Sequence, residues 1–167
     1  VAGEAGAEGL AAADPAAFPK PSDLYHLVIV AAYNESFEVI EPTIRSILNS
    51  TYDNDKLVVA LAYEERGGEG IERTAARLEK KFGTRFAAFV TIKHPRDLPD
   101  EVVGKGGNIT YAGKQMEQWF TDKKIDYKNV IVTSLDSDNR PHTTYFDYVA
   151  YEYVVHEDRK HLSYQPI

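Results

Sequence analysis

The chain has 167 residues, enough for one ordinary domain and too few for two full ones. It carries 19 basic and 26 acidic residues, a net charge of −7, which argues against nucleic acid or an anionic membrane surface as the main partner, since both call for an excess of Lys and Arg. Cysteine is absent, so disulfides, thiolate metal sites and cysteine nucleophiles are excluded together, and no apolar run approaches the roughly 20 residues of a membrane helix.

Residues 1–23 differ from the rest of the chain. Eleven of the first 18 are Ala or Gly, and Pro15, Pro19 and Pro21 punctuate the stretch, a composition that suits a linker or arm without its own core. The domain is expected over residues 24–167. Its first strand is predicted at His26–Ala32, a continuous apolar run of the kind buried on both faces. A helix follows with Ile40, Ile44, Ile47 and Leu48 on one face, and Pro42 is expected in its first turn, where a missing N–H costs little. Leu57–Ala62 is the second strand. Residues 69–82 form the second helix, with Ile71, Ala75, Leu78 and Phe82 in register and Gly83 as its cap. Phe86–Ile92 is the third strand, and a polar loop with Pro95 and Pro99 leads to a third helix over 107–121. Asn129–Leu135 is the fourth strand. An aromatic-rich helix then runs from beyond Pro141 to about Asp158, and His161–Gln165 reads as a short fifth strand.

This β-α alternation predicts an α/β fold, a mostly parallel Rossmann-like sheet flanked by helices. Right-handed crossovers set strands one, two and three side by side, and the fourth returns to the other side of strand one. Ligands of such sheets bind outside the carboxyl ends of the strands, where the order reverses. Three polar clusters fall on that edge: Tyr33-Asn34-Glu35 after strand one, Glu64-Glu65 after strand two, and Asp136-Ser137-Asp138-Asn139 after strand four.

Asp136 and Asp138 are spaced i, i+2, so on an extended segment both carboxylates point the same way. Two such charges repel, and a hard divalent cation, Mg²⁺ or Mn²⁺, relieves them with the help of phosphate oxygens. The same four residues also suit a solvated turn or helix cap. Gly104-Lys105-Gly106-Gly107-Asn108 precedes a helix; glycines free the backbone N–H groups for an anion, the helix start adds its positive end, and Lys105 adds a full charge. It lacks the spacing of a Walker loop. An acid such as Glu64 or Glu65 after strand two commonly accepts from a ribose hydroxyl. The five histidines show no zinc spacing, and no Ser-His-Asp arrangement is evident.

Together, Val28-Ile29-Val30-Ala31-Ala32-Tyr33-Asn34-Glu35-Ser36, the Gly104–Asn108 segment, Asp136-Ser137-Asp138 and Tyr164-Gln165-Pro166 resemble, in order, the motifs of family 2 glycosyltransferases, the last as in cellulose-synthase-like members. The resemblance covers residues 26–167. It implies a GT-A fold, a nucleoside diphosphate sugar as donor, with a UDP-sugar favoured, and transfer with inversion to an acceptor hydroxyl on a glycan or lipid. Tyr33 and Glu35 would then contact the base and ribose, and Asn34 between them would belong to the nucleotide-sugar site. Glu64 or Glu65 would replace the nucleoside-binding Asp of the family, Lys105 and Asn108 would lie near the donor, Asp136 would reach the nucleotide, and Asp138 would hold Mg²⁺ or Mn²⁺. Two departures stand out: Ala32 replaces the usual proline, and Ala62-Tyr63-Glu64-Glu65-Arg66 replaces the common Asp-Asp pair. The family's general base lies well beyond its D-x-D motif, which places it past residue 167 and makes this chain the donor half; Glu157-Asp158 comes too early. With no leader of basic then apolar residues, a cytoplasmic location is expected, at the cytoplasmic face of a membrane for a longer, membrane-associated protein. Other readings are a non-catalytic nucleotide- or sugar-binding domain of the same fold and, third, a nucleotidyltransferase.

Overall fold

The computed structural model describes residues 20–155. The strand expected at His161–Gln165, the Tyr164-Gln165-Pro166 motif, Glu157-Asp158 and most of the N-terminal arm lie outside the described residues. Strands β1 (Tyr25–Ala32), β2 (Leu57–Glu64), β3 (Ala88–His94) and β4 (Val130–Asp136) alternate with helices α1 (Phe37–Leu48), α2 (Glu69–Phe82), α3 (Lys105–Asp122) and α4 (Tyr145–Val155).

The four strands form one all-parallel sheet in the order β3-β2-β1-β4. This is the expected arrangement: three strands laid down in one direction by right-handed steps, then a return across β1. β1 and β2 are apolar along almost their whole length because both faces are covered. On one face the core joins Val28, Val30, Val59 and Leu61 to Ile40, Ile44 and Ile47 of α1, to Ile71, Ala75, Leu78 and Phe82 of α2, and to Phe146, Val149 and Val154 of α4. On the other face a single helix, α3, sets Ala112, Met116 and Phe120 against Leu27, Ile29, Val58, Ala60 and Ala62. That helix does not reach across β4, where Val132 stays 58% exposed. Among the described residues, no helix is long and apolar enough to cross a membrane.

Several boundaries depart from the sequence reading. Pro42 lies in the second turn of α1, not the first. It therefore removes one ladder hydrogen bond, the one that would end on the Glu38 carbonyl. The third strand starts at Ala88, two residues later than expected, and runs on to His94. The apolar run from Phe86 hides the reason. The Ala87 N–H donates to the Asn54 and Leu57 carbonyls, and Phe86 packs with Phe82 and Phe89, so pairing with β2 begins only at Ala88 opposite Val58. Helix α3 starts at Lys105, two residues earlier than expected, so Gly106 joins Gly107 in its first turn. Before β1, the chain makes a 3-10 turn at Pro21–Asp23, fixed by the Tyr52 hydroxyl on the Pro21 and Leu24 carbonyls at 2.8 and 2.6 Å.

Candidate functional site

Because all four strands run the same way, their carboxyl ends meet on one edge, and a cavity of about 520 Å³ opens there. Its lining includes Tyr33 and Glu35 after β1, Glu64 and Arg66 after β2, Lys105 and Asn108 of α3, and Asp136, Ser137 and Asp138 at the end of β4. Seven of the nine residues singled out from the sequence are thus brought together. Asn34 and Glu65 are not among the lining. Glu65 instead accepts from the Arg96 N–H at 2.8 Å, and this bond, with the Arg96 charge, holds its carboxyl below the usual range.

The floor of the cavity is built on β1 and β2. Glu64, the last residue of β2, is 6% exposed. Its Oε2 meets His94 Nδ1 at 3.1 Å and the Arg66 guanidinium at 3.6 Å, while Oε1 is buried with no hydrogen-bond partner. Asn108 is buried beside it and donates to the Ala62 carbonyl at 3.0 Å and to the Ala32 carbonyl at 3.5 Å, tying the ends of β2 and β1 to α3. Two acceptors on its donor side fix the orientation of the amide and leave Oδ1 buried and unpartnered. A buried acceptor without a donor is costly, and these two belong to residues that line the cavity. Gly67 lets the loops close: a Cβ there would stand 1.9 Å from the Tyr33 carbonyl oxygen. Glu35 turns back on its own loop and accepts from the Tyr33 N–H at 2.6 Å.

The rim has the opposite character. The first N–H groups of α3 have no acceptor within the helix and add its positive end to the Lys105 charge. Gly104, at φ 148°, makes the turn into the helix in a conformation that favours glycine. Asp136 and Asp138 are exposed while Ser137 between them is buried, its carbonyl held by Thr43 Oγ1 at 2.7 Å. The expectation that both acids stand on an extended segment needs correction: β4 ends at Asp136, and Asp138 sits in a turn closed by the Asn139 N–H on the Asp136 carbonyl at 3.0 Å. The turn, not the two-residue pleat, sets their relation. Asp136 forms an ion pair with Lys105, across from β4 to α3.

These contacts decide how well Asp136 and Asp138 suit a cation. Among the described residues no group of three or more His, Asp or Glu is arranged to hold a metal ion, and one of the two acids is engaged by Lys105. Such a pair fits a divalent cation shared with phosphate oxygens, not one caged by protein alone.

Sequence reasoning missed His94, Arg66 and Glu101. His94 is 2% exposed and lies between Glu64 and Glu101, with Nε2 2.6 Å from Glu101 Oε2. The strand-end rule that marked the other residues would have marked His94 too, had the third strand been carried to its true end. No protein-family model matches the chain, and no curated protein matches it.

Proposed function

We propose that this chain binds a nucleoside diphosphate sugar and forms the donor site of a sugar transferase with a GT-A fold, as its resemblance to family 2 glycosyltransferases implies. The observation that carries the reading is the division of one cavity into two chemistries. Buried, unpartnered acceptors on Glu64 and Asn108 lie at the ends of β1 and β2, and a lysine, a helix N-terminus and two acids lie at the β4 side. Nucleosides offer N–H and O–H donors, and diphosphates offer charge and acceptor oxygens, so one such ligand answers both ends. The all-parallel sheet with its switch point between β1 and β4 is the architecture in which nucleotides bind at this edge.

In this reading the nucleoside lies toward Tyr33, Glu64 and Asn108, and the diphosphate lies under Lys105 and the start of α3. Asp138, with Asp136, would hold Mg²⁺ or Mn²⁺; once bound, the ion supplies positive charge beside the diphosphate as it departs with the nucleoside. Lys105 leaves Asp136 for the phosphate oxygens, a charge-assisted contact of the same kind.

The test is calorimetric titration of a panel of nucleoside diphosphates and their sugars, with and without Mn²⁺. Binding is expected to tighten with Mn²⁺ in the wild type and to lose that gain in Asp138→Asn. No binding of any nucleoside diphosphate would overturn the proposal, and equal affinity with and without the ion would remove the metal from it. Sugar transfer is assayed separately, by release of the free nucleoside diphosphate in the presence of acceptor.

A further inference from the structure

His94 closes the floor of the cavity from behind. Its ring lies 5.0 Å from that of Tyr111 on α3, centroid to centroid, and the position a Cβ would take on Gly107 lies 3.6 Å from its Cε1. β3, α3 and the end of β2 therefore enclose it. Inside that enclosure each ring nitrogen faces a carboxylate, Glu64 at 3.1 Å and Glu101 at 2.6 Å. A buried carboxylate such as Glu64 needs donors, and His94 and Arg66 both meet the same one of its oxygens. The other oxygen is left over, buried and unanswered, in a residue that lines the cavity.

Glu101 belongs to the segment 95–104 that joins β3 to α3. The segment is pinned at its start by the Arg96 N–H on Glu65 and near its end by Glu101 on His94. In between, Asp97 and Asp100 take left-handed conformations, at φ 62° and 63°. These cost free energy in residues other than glycine and are held by their surroundings. Val103 and Gly104, just beyond Glu101, line the cavity, and Gly107 approaches the Val102 carbonyl so closely that a Cβ would stand 2.9 Å from it.

We propose that His94 is a positioning residue that fixes Glu64 with one carboxylate oxygen reserved for a donor hydrogen of the ligand, and that fastens the 95–104 wall to the cavity floor through Glu101. The ligand half of this proposal rests on the nucleoside diphosphate reading; the fastening half rests on the contacts alone. The ligand class at Glu64 is a neutral N–H or O–H donor, since a phosphate oxygen there would face a carboxylate.

Two measurements on the full chain test it. The first is trypsin cleavage after Arg96, followed by mass spectrometry of the fragments. Glu101→Ala is expected to speed cleavage by about tenfold, the effect of losing one charge-assisted hydrogen bond, while Glu101→Gln, which keeps an acceptor oxygen, recovers most of the protection. Cleavage at the wild-type rate in Glu101→Ala overturns the fastening. The second compares affinity for a nucleoside diphosphate with affinity for inorganic pyrophosphate. Glu101→Ala and His94→Gln are expected to weaken the nucleoside diphosphate by about tenfold and to leave pyrophosphate within about twofold. Equal losses for both ligands, or none for either, overturn the positioning role. If His94→Gln does not fold, Glu101→Ala, at a partly exposed side chain, decides alone. Should the wild type bind pyrophosphate and nucleoside diphosphates equally, the functional reading fails and the positioning role with it, whereas the cleavage result still decides the fastening.

Discussion

Two histidines sit at opposite ends of this sheet, equally hidden and oppositely surrounded. His26, at the amino end of β1, is fully buried between the rings of Tyr52 and Phe146, 4.6 and 5.2 Å away, and neither ring nitrogen has a hydrogen-bond partner. Burial pushes its pKa down to about 3, an effect that the Phe146 backbone offsets only in part. His94, at the carboxyl end of β3, has a carboxylate on each nitrogen. The one serves as an aromatic core residue and has to stay neutral. The other organises polar groups around a cavity. The contrast shows how a parallel sheet divides its labour: apolar at the amino edge, charged where the strands end and loops can carry chemistry.

The largest expected effect sharpens the amino end. His26 titrates near 6.5 when unfolded and at about 3 when folded. Protons then bind the unfolded chain preferentially, so the contribution of neutral His26 is intact above pH 6.5 and is lost as the pH falls from there toward 3. Linkage puts the full loss on the order of 5 kcal/mol. Urea unfolding across this range should show stability falling with acid, and His26→Leu should flatten that part of the profile. An unchanged slope in the variant would place the acid sensitivity elsewhere.

At the carboxyl end, Asn108 should behave as structure and ligand contact together. Asn108→Ala deprives the Ala32 and Ala62 carbonyls of their shared donor, and thermal or urea melts should register a loss of about 1–3 kcal/mol. Stability within about 0.5 kcal/mol of wild type, on the order of an ordinary surface change, would mean that the amide does not join the strands. Lys105→Ala is a smaller change of another kind. It should weaken a nucleoside diphosphate by about tenfold, leave the free nucleoside nearly untouched, and, by releasing Asp136, tighten Mn²⁺ binding in the absence of nucleotide. Equal loss for nucleoside and diphosphate would place Lys105 away from the phosphates. The smallest stability effect is expected for Asp138→Asn, an exposed position with no partner among the described residues. Its melting curve should overlay that of the wild type, and a large shift would make Asp138 a structural turn residue.

Much of this was legible in the sequence. Alternating apolar runs and amphipathic stretches dictate strand order through the handedness of crossovers, and strand order dictates the edge on which Tyr33, Glu64 and Asp136 meet. What the sequence hides is three-dimensional choice. Phe86-Ala87 looks like strand, but the Ala87 N–H is shared between the Asn54 carbonyl, before β2, and the Leu57 carbonyl at its first residue, with β3 pairing from Ala88 on, and that two-residue shift concealed His94. The approach of Glu101 to His94 depends on a loop held in left-handed turns at two aspartates, which no periodicity announces. Lys105 reads as a free phosphate ligand, yet in the folded chain it is paired with Asp136, a partner that only the β1–β4 pairing brings within reach.

That pairing has a consequence for how the chain folds. Tyr25 lies opposite Val130 in the register, so β1 must wait for more than a hundred later residues before its second edge is filled. Every other strand contact in the sheet closes a shorter loop, and the longest closure is the slowest to be rewarded. β4 is therefore expected to dock last, carrying Asp136 and Asp138 with it, and a refolding chain would gain its charged rim only at the final step. Nucleotide binding would then report completed folding, a clock reading contradicted by any ligand signal that precedes protection of the β1–β4 amides.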